Sequence, residues 1–206
     1  MSENPLALAL AMVEVDSVAT GLRCVDTLVK QAPVRVLEAN LVEPGRFLVL
    51  FRGGVAEVEE SYREALDRAA DAVVDRMLLA RVHPALLEGL EGHEALGSSE
   101  ELDTIGVIEG SRVAGTLEAC DRSLKDAGVQ LVGVRVSGGL GGRAYYVVRG
   151  LQHDVEVAVE VAESVLRCHG ALHRTECIAR PHPEMVCWLM RTPPFRVGGT
   201  EGLDGG

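Results

Sequence analysis

The stretch of this sequence that most resembles a ligand cradle is Ser137-Gly138-Gly139-Leu140-Gly141-Gly142-Arg143. Glycines reach positive φ at no steric cost and let a backbone come close to a bound group, so phosphate binding is the first chemistry to weigh. Phosphate binding needs the loop to open a helix whose N–H groups face the anion. Here a strand-like run, Ala144–Arg149, follows the glycines, and another, Val129–Val136, precedes them. The loop therefore reads as a hairpin tip, longer and richer in glycine than a two-residue turn requires. A second loop, Val42-Glu43-Pro44-Gly45-Arg46, joins two similar runs earlier in the chain.

The other reactive residue types fall short of a site. Cys168, Cys177 and Cys187, with His169, His173 and His182, could supply metal ligands, but their spacing matches no standard zinc pattern. Cys24 and Cys120 lie on apolar helical stripes, and Cys177 and Cys187 lie in apolar runs, so all four read as small buried hydrophobes. Glu57, Glu59 and Glu60 make a solvated helix face. No nucleophile stands beside a base, so the sequence predicts neither an enzyme nor a metal or cofactor site.

Composition narrows the partners. A formal net charge of −11 and 3% aromatic residues exclude the basic footprint and stacking platforms of a nucleic-acid binder. Leu6–Val13 is apolar but too short to span a bilayer and lacks a basic leader, so no membrane contact is expected. Five cysteines with no CxxC pair suit a reducing cytoplasm.

What positions the loops is a tandem repeat. Val13-Glu14, Val18-Ala19, Leu22, Asp26, Lys30, Ala32 and Val34 recur 95 residues later as Ile108-Glu109, Val113-Ala114, Leu117, Asp121, Lys125, Ala127 and Val129. The second loop is two residues longer. Arg46, Arg52, Gly53, Val58, Glu59 and Pro84 then recur at an offset of 97 as Arg143, Arg149, Gly150, Val155, Glu156 and Pro181. The chain's two lysines, among 20 basic residues, are Lys30 and Lys125, at one repeat position. Chance is a poor explanation for that.

Each copy reads strand, helix, strand, loop, strand, helix, strand. In the first, Ala7–Val15 opens, followed by a helix capped by Asp16 or Ser17 with Val18, Leu22, Val25 and Val29 on one face. Strands at Val34–Leu41 and Phe47–Phe51, a helix over Ala56–Val73, a strand at Met77–Val82 and a short helix at Pro84–Leu90 complete it. The second copy has a strand at Thr104–Glu109 and a helix bearing Val113, Leu117, Cys120 and Leu124. A helix capped by Asp154, a strand at Leu172–Ala179 and a short helix at Glu184–Met190 follow. The predicted fold class is α/β of the α+β, ferredoxin-like kind: two tandem β-α-β-β-α-β domains, each an antiparallel sheet with both helices on one face. The first spans residues 1–90, a linker 91–102 and the second 103–191; Thr192–Gly206, rich in Pro and Gly, reads as a disordered tail. The uncovered sheet faces and edges predict association.

These features together resemble the tandem-domain shell proteins of bacterial microcompartments, in the non-permuted branch. The resemblance rests on Val13-Glu14 ending the first strand, Asp26 and Lys30 ending the helix, the strand–glycine-loop–strand hairpin, and Arg52-Gly53 before the second helix. The closing Ile178-Ala179-Arg180-Pro181-His182 adds to it. It implies a homotrimer shaped as a pseudohexameric tile, meeting other microcompartment shell proteins at its edges and passing small metabolites through a central pore. By the same resemblance Val42–Arg46 and Ser137–Arg143 line that pore, and Lys30, Lys125 and Arg180 lie at tile edges. Three Glu43 carboxylates then form a ring, with Arg46 or Arg143 close enough to offset it. Pro44 stiffens the first loop, which leaves motion to Gly138–Gly142. In the first copy Val82-His83-Pro84 stands where the second has Ala179-Arg180-Pro181, so its edge contact departs from the pattern.

Some tandem shell proteins carry an iron–sulfur cluster on a pore-loop cysteine, and neither loop here has one. The competing readings are a ferredoxin-like trimeric sensor with clefts between subunits, and an α+β-barrel enzyme, which lacks its acid–base pair.

Overall fold

A continuous apolar run is expected of a strand covered on both faces. Leu8–Val15 (β1) is such a run, buried from Ala9 onward. The computed structural model describes residues 8–92, 103–136 and 140–189 and places β1 inside a four-stranded antiparallel sheet. Its partners are β2 (Arg35–Val42), β3 (Arg46–Gly54) and β4 (Val73–Leu79), in the order β2-β3-β1-β4. The second copy repeats this with β5 (Thr104–Gly110), β6 (Gln130–Val136), β7 (Ala144–Gly150) and β8 (Leu172–Ala179), in the order β6-β7-β5-β8. The linker from 93 to 102, Ser137–Gly139 and the tail from 192 lie outside the described residues. Among the described residues no helix is long and apolar enough to cross a membrane.

Two helices cover one face of each sheet: α1 (Val18–Gln31) and α2 (Val55–Ala69) in the first copy, α4 (Val113–Asp126) and α5 (Gln152–Cys168) in the second. Ser17 caps α1, accepting the Thr20 N–H at 3.4 Å, whereas the N-cap of α5 is Leu151 and the expected cap, Asp154, sits inside its first turn. A hydroxyl ties each helix pair: Ser61 donates to the Leu28 carbonyl at 3.0 Å, and Ser123 to the Ala158 carbonyl at 2.9 Å.

The first helix corrects one expectation. Its own sheet is met by Gly21, Cys24 and Leu28, not by most of the large apolar stripe. Gly21 is there because a side chain would strike Phe47, 2.4 Å from where its Cβ would stand. Of the expected stripe, Val25 packs with this sheet's own core, while the others point outward: Val18 is 36% exposed, Leu22 57% and Val29 47%. Their repeat counterparts on α4, Val113, Leu117 and Leu124, are 0%, 0% and 6% exposed.

The first copy makes that difference. The face of its sheet opposite α1 and α2 carries Leu10, Met12, Leu48 and Leu50. These join Val82, Leu86 and Leu87 and the α4 residues Leu117, Cys120 and Leu124 in one continuous apolar cluster. The short helix α3 (Pro84–Leu90) lies along β6, where a side chain at Gly89 would meet Leu131 at 2.8 Å. Its C-terminal Glu91 pairs with Arg52 at 2.9 Å and Arg35 at 3.3 Å. The corresponding face of the second sheet, with Ile105, Val107, Tyr145 and Val147, meets Met185 and Leu189 of the terminal helix α6 (Pro183–Leu189).

The repeat also continues differently from the sequence alignment. Leu10 pairs with Leu79, and its counterpart Ile105 pairs with Ile178. Leu79-Ala80-Arg81-Val82-His83-Pro84 therefore answers Ile178-Ala179-Arg180-Pro181-His182-Pro183, and Pro84 matches Pro183 rather than Pro181. The two extra residues are absorbed by α5, which has 17 residues against 15 in α2. Arg81 and Arg180 share a positive φ, 58° and 48°, and His83 and His182 each accept a following N–H through Nδ1. The first copy thus has the arginine it was expected to lack. Its fourth strand ends at Leu79, short of the expected Val82.

His83 sits where the copies meet. Its N–H donates to Asp121 at 2.7 Å, and the other oxygen of Asp121 holds Lys125 at 2.5 Å. Burial lowers the His83 pKa below the ordinary 6.5; Asp121 opposes this, Lys125 adds to it and Glu88 opposes it. A depressed histidine pKa gives stability that is complete above the ordinary value and lost as pH falls through it toward the folded-state value. His83→Asn keeps an acceptor for the cap without the titration. Its melting temperature should fall less than that of the parent between pH 7.5 and 5.5; parallel melting profiles would show that His83 is not a source of the acid loss.

Candidate functional site

The two hairpin loops meet. Val42 ends β2, Gly45 turns the first loop at φ 74°, and Gly141 and Gly142 turn the second at 60° and 81°. A side chain at Gly142 would stand 3.2 Å from Val42 Cγ1, so the second loop lies against the first with little room between them. Under the repeat these loops are equivalent. Of the expected loop residues, Val42, Glu43, Pro44, Gly45 and Arg46 and Leu140, Gly141, Gly142 and Arg143 are described; Ser137, Gly138 and Gly139 lie outside.

The loop arginines do not face Glu43, contrary to expectation. Each folds back onto the carboxylate that ends the first strand of its own copy. Arg46 Nη1 lies 3.1 Å from Glu14 Oε1, and Arg143 Nη1 lies 3.4 Å from Glu109 Oε1. Both pairs follow from the register, in which Glu14 and Glu109 sit on β1 and β5 beside the start of β3 and β7. The first pair is the more enclosed, the Glu14 side chain being 3% exposed and that of Glu109 36%. Burial pushes the Glu14 carboxyl up; the Arg46 hydrogen bond and charge pull it down, Asp75 raises it and Arg112 lowers it. Asp75 lies opposite Glu14 on β4, and its Oδ2 is buried without a hydrogen-bond partner. In the second copy His173 joins the pair, its Nε2 3.1 Å from Arg143 Nη1 and 3.6 Å from Glu109.

The lysines repeat one geometry in two settings. Lys30 binds Asp26 at 2.7 Å in the open, the side chains 71% and 61% exposed. Lys125 binds an Asp121 that is 4% exposed, because the first copy covers it. Arg180 is exposed at the end of β8, and Arg81 takes the same place after β4.

Cys24 and Cys120 are buried as expected, and burial raises both thiol pKa values, Cys120 well above the ordinary 9.0. Cys177 is exposed, contrary to expectation, and so is Cys168. The Cys187 side chain lies outside the described residues. Among the described residues no three of His, Cys, Asp and Glu gather closely enough to hold a metal ion.

Two antiparallel sheets of one topology, their hairpin loops together and one helix stripe unpaired, match known proteins. Residues 9–82 and 104–181 each match the BMC domain. The chain belongs to the bacterial microcompartment shell protein family. These BMC domains are 33% identical over 180 residues to the bacterial microcompartment shell protein PduT of Citrobacter freundii, a span covering 87% of this chain and 96% of that one. A major carboxysome shell protein, CsoS1 of Prochlorococcus marinus, aligns over its full length with 48% of the chain at 27% identity. The crystal structure of a microcompartment protein from Desulfitobacterium hafniense superposes with a TM-score of 0.81 at 31% identity, over 88% of this chain and 99% of that one.

Sequence reasoning missed three parts of this BMC arrangement: Arg81, the two carboxylates holding the loop arginines, and His173. The signal for the carboxylates was present, since Glu14/Glu109 and Arg46/Arg143 are each preserved between the copies.

A raised carboxyl pKa means that ionised Glu14 costs stability as pH rises through its folded-state value, while below the ordinary 4.5 the neutral acid carries no such cost. Glu14→Gln should therefore melt at or above the parent temperature at pH 7, with the gain vanishing in acid. A drop of several degrees at pH 7 would mean that the Arg46 pair outweighs its desolvation.

Proposed function

We propose that this chain forms a homotrimeric, pseudohexameric shell tile with a central pore for small metabolites. One observation carries the reading: the apolar stripe on α1 is open, while the same stripe on α4 is buried under the first domain of its own chain. The complementary surface is at hand, for the back of sheet 2 is the counterpart of the face that covers α4. Repeating the internal junction between chains sets Val18, Leu22 and Val29 of one chain against Ile105, Tyr145 and Val147 of the next. A contact of this head-to-tail kind, repeated with a closing rotation, gives a ring. Two domains per chain make three chains the counterpart of six single-domain subunits.

In that ring Asp26 takes the place of Asp121 and accepts the N–H of the neighbour's His182. The described parts of the two loops, Val42–Arg46 and Leu140–Arg143, gather at the axis. Lys30 and Lys125, with Arg81 and Arg180, serve the outer rim, where other shell proteins join. The tile is a structural part of a microcompartment in the cytoplasm, without a catalytic role. PduT and CsoS1, named above, are shell proteins, and nothing observed favours the sensor or barrel-enzyme readings.

Fully burying a Val or Leu side chain is worth about 1.5–3 kcal/mol, so a charge within the stripe should be decisive. Sedimentation should give a trimer for the parent and a folded monomer for Leu22→Glu. A Leu22→Glu trimer would refute the junction. Lys30→Ala with Lys125→Ala should keep the trimer mass while removing the extended sheets seen by negative-stain microscopy; sheets that persist would remove the lysines from the rim.

A further inference from the structure

The charges on the two loops are few, and the structure divides them. Ser137 to Gly142 carry no ionisable side chain, so the second loop contributes only Arg143 and the first only Glu43 and Arg46. Both arginines are engaged at the loop feet, Arg46 with Glu14 at 3.1 Å and Arg143 with Glu109 at 3.4 Å. The remaining charges near the Glu14 foot, Asp75 and Arg112, are of opposite sign. Near the Glu109 foot, Arg174 is paired with Glu176 at 3.1 Å. Glu43 stands apart: it is exposed and makes no ion pair among the described residues.

We infer that Glu43 is the residue that sets charge selectivity at the opening, favouring neutral and cationic small molecules and discriminating against anions. This deepens the pore reading above and rests on it. Three chains bring three Glu43 side chains to the axis, one from every second loop, while each arginine next to them is already neutralised by its own carboxylate. A paired charge acts as a short dipole whose field decays faster than that of an isolated charge. At the opening the unpaired carboxylates therefore dominate. The assignment is specific to this division of charges. Were Arg46 and Arg143 turned toward the axis instead, six positive charges would outnumber three negative ones and the preference would reverse.

The internal controls come from the same geometry. Removing Glu43 deletes the unpaired charge. Removing Glu109, which lies at an exposed pair and is not needed for the core, releases Arg143 toward the opening. Both changes move selectivity in one direction by different routes.

The test is the reversal potential of the purified trimer in planar lipid bilayers across a KCl gradient, with potassium and chloride as the probe ions. The parent should be cation-selective. Glu43→Gln should lower the ratio of potassium to chloride permeability about tenfold at low salt, where screening is weakest. Glu109→Gln should lower it in part, and Glu43→Arg should invert it. A parent that conducts without cation preference, or a Glu43→Gln protein with the parent ratio, overturns the assignment and leaves the pore standing. A preparation that sediments as a trimer yet never conducts removes the pore, and this inference with it.

Discussion

The packing of α4 against the back of sheet 1 is the contact on which the rest of the molecule depends. A helix lying on its own sheet covers one side of itself and leaves the other to water. Here that other side carries Val113, Leu117 and Leu124, all removed from solvent by a sheet belonging to the neighbouring domain. Each such side chain contributes about 1.5–3 kcal/mol when fully buried, a large share of the 5–15 kcal/mol that separates folded from unfolded chains. The junction also fixes direction. A helix face meets a sheet face, so the surface that gives and the surface that receives are different; the α1 stripe is left open, while on the second sheet Met185 and Leu189 of α6 pack on Ile105 and Val147.

Polar groups then refine what burial begins. Asp121 is taken out of water at this junction and is satisfied twice, by the His83 N–H and by Lys125. A buried carboxylate with only one partner would cost stability. The Asp121–Lys125 pair therefore belongs to the junction: the lysine compensates the charge that the interface encloses. At the inner end of the sheets the same economy holds the loop arginines on Glu14 and Glu109, which leaves the hairpin tips with a single unpaired charge.

Much of this was legible in the sequence because duplication prints each feature twice. The order of elements, the hairpin loops and the Asp26/Lys30 pair all stood out as coincidences at fixed offsets, and sheet topology followed from the order. The failures have physical causes. The helix α1 is apolar on two sides, and periodicity finds a stripe without saying what it faces. Its large residues point to a partner, while Gly21 and Cys24 let the helix settle on its own sheet. The third offset, after α5, was hidden because Pro181 lies near enough to Pro183 to accept a false match. The Glu14 and Glu109 contacts needed strand register, which a list of residues does not contain.

The central claim is that one junction, present once inside each chain, is used again between chains. A crystal or electron cryomicroscopy structure of the assembled protein tests it directly. The account predicts Asp26 within hydrogen-bond distance of a neighbouring chain's His182 N–H, matching the 2.7 Å between Asp121 and the His83 N–H within the chain, with Leu22 enclosed beneath it. An assembly in which α1 meets another α1, or in which its stripe faces solvent, would contradict the account.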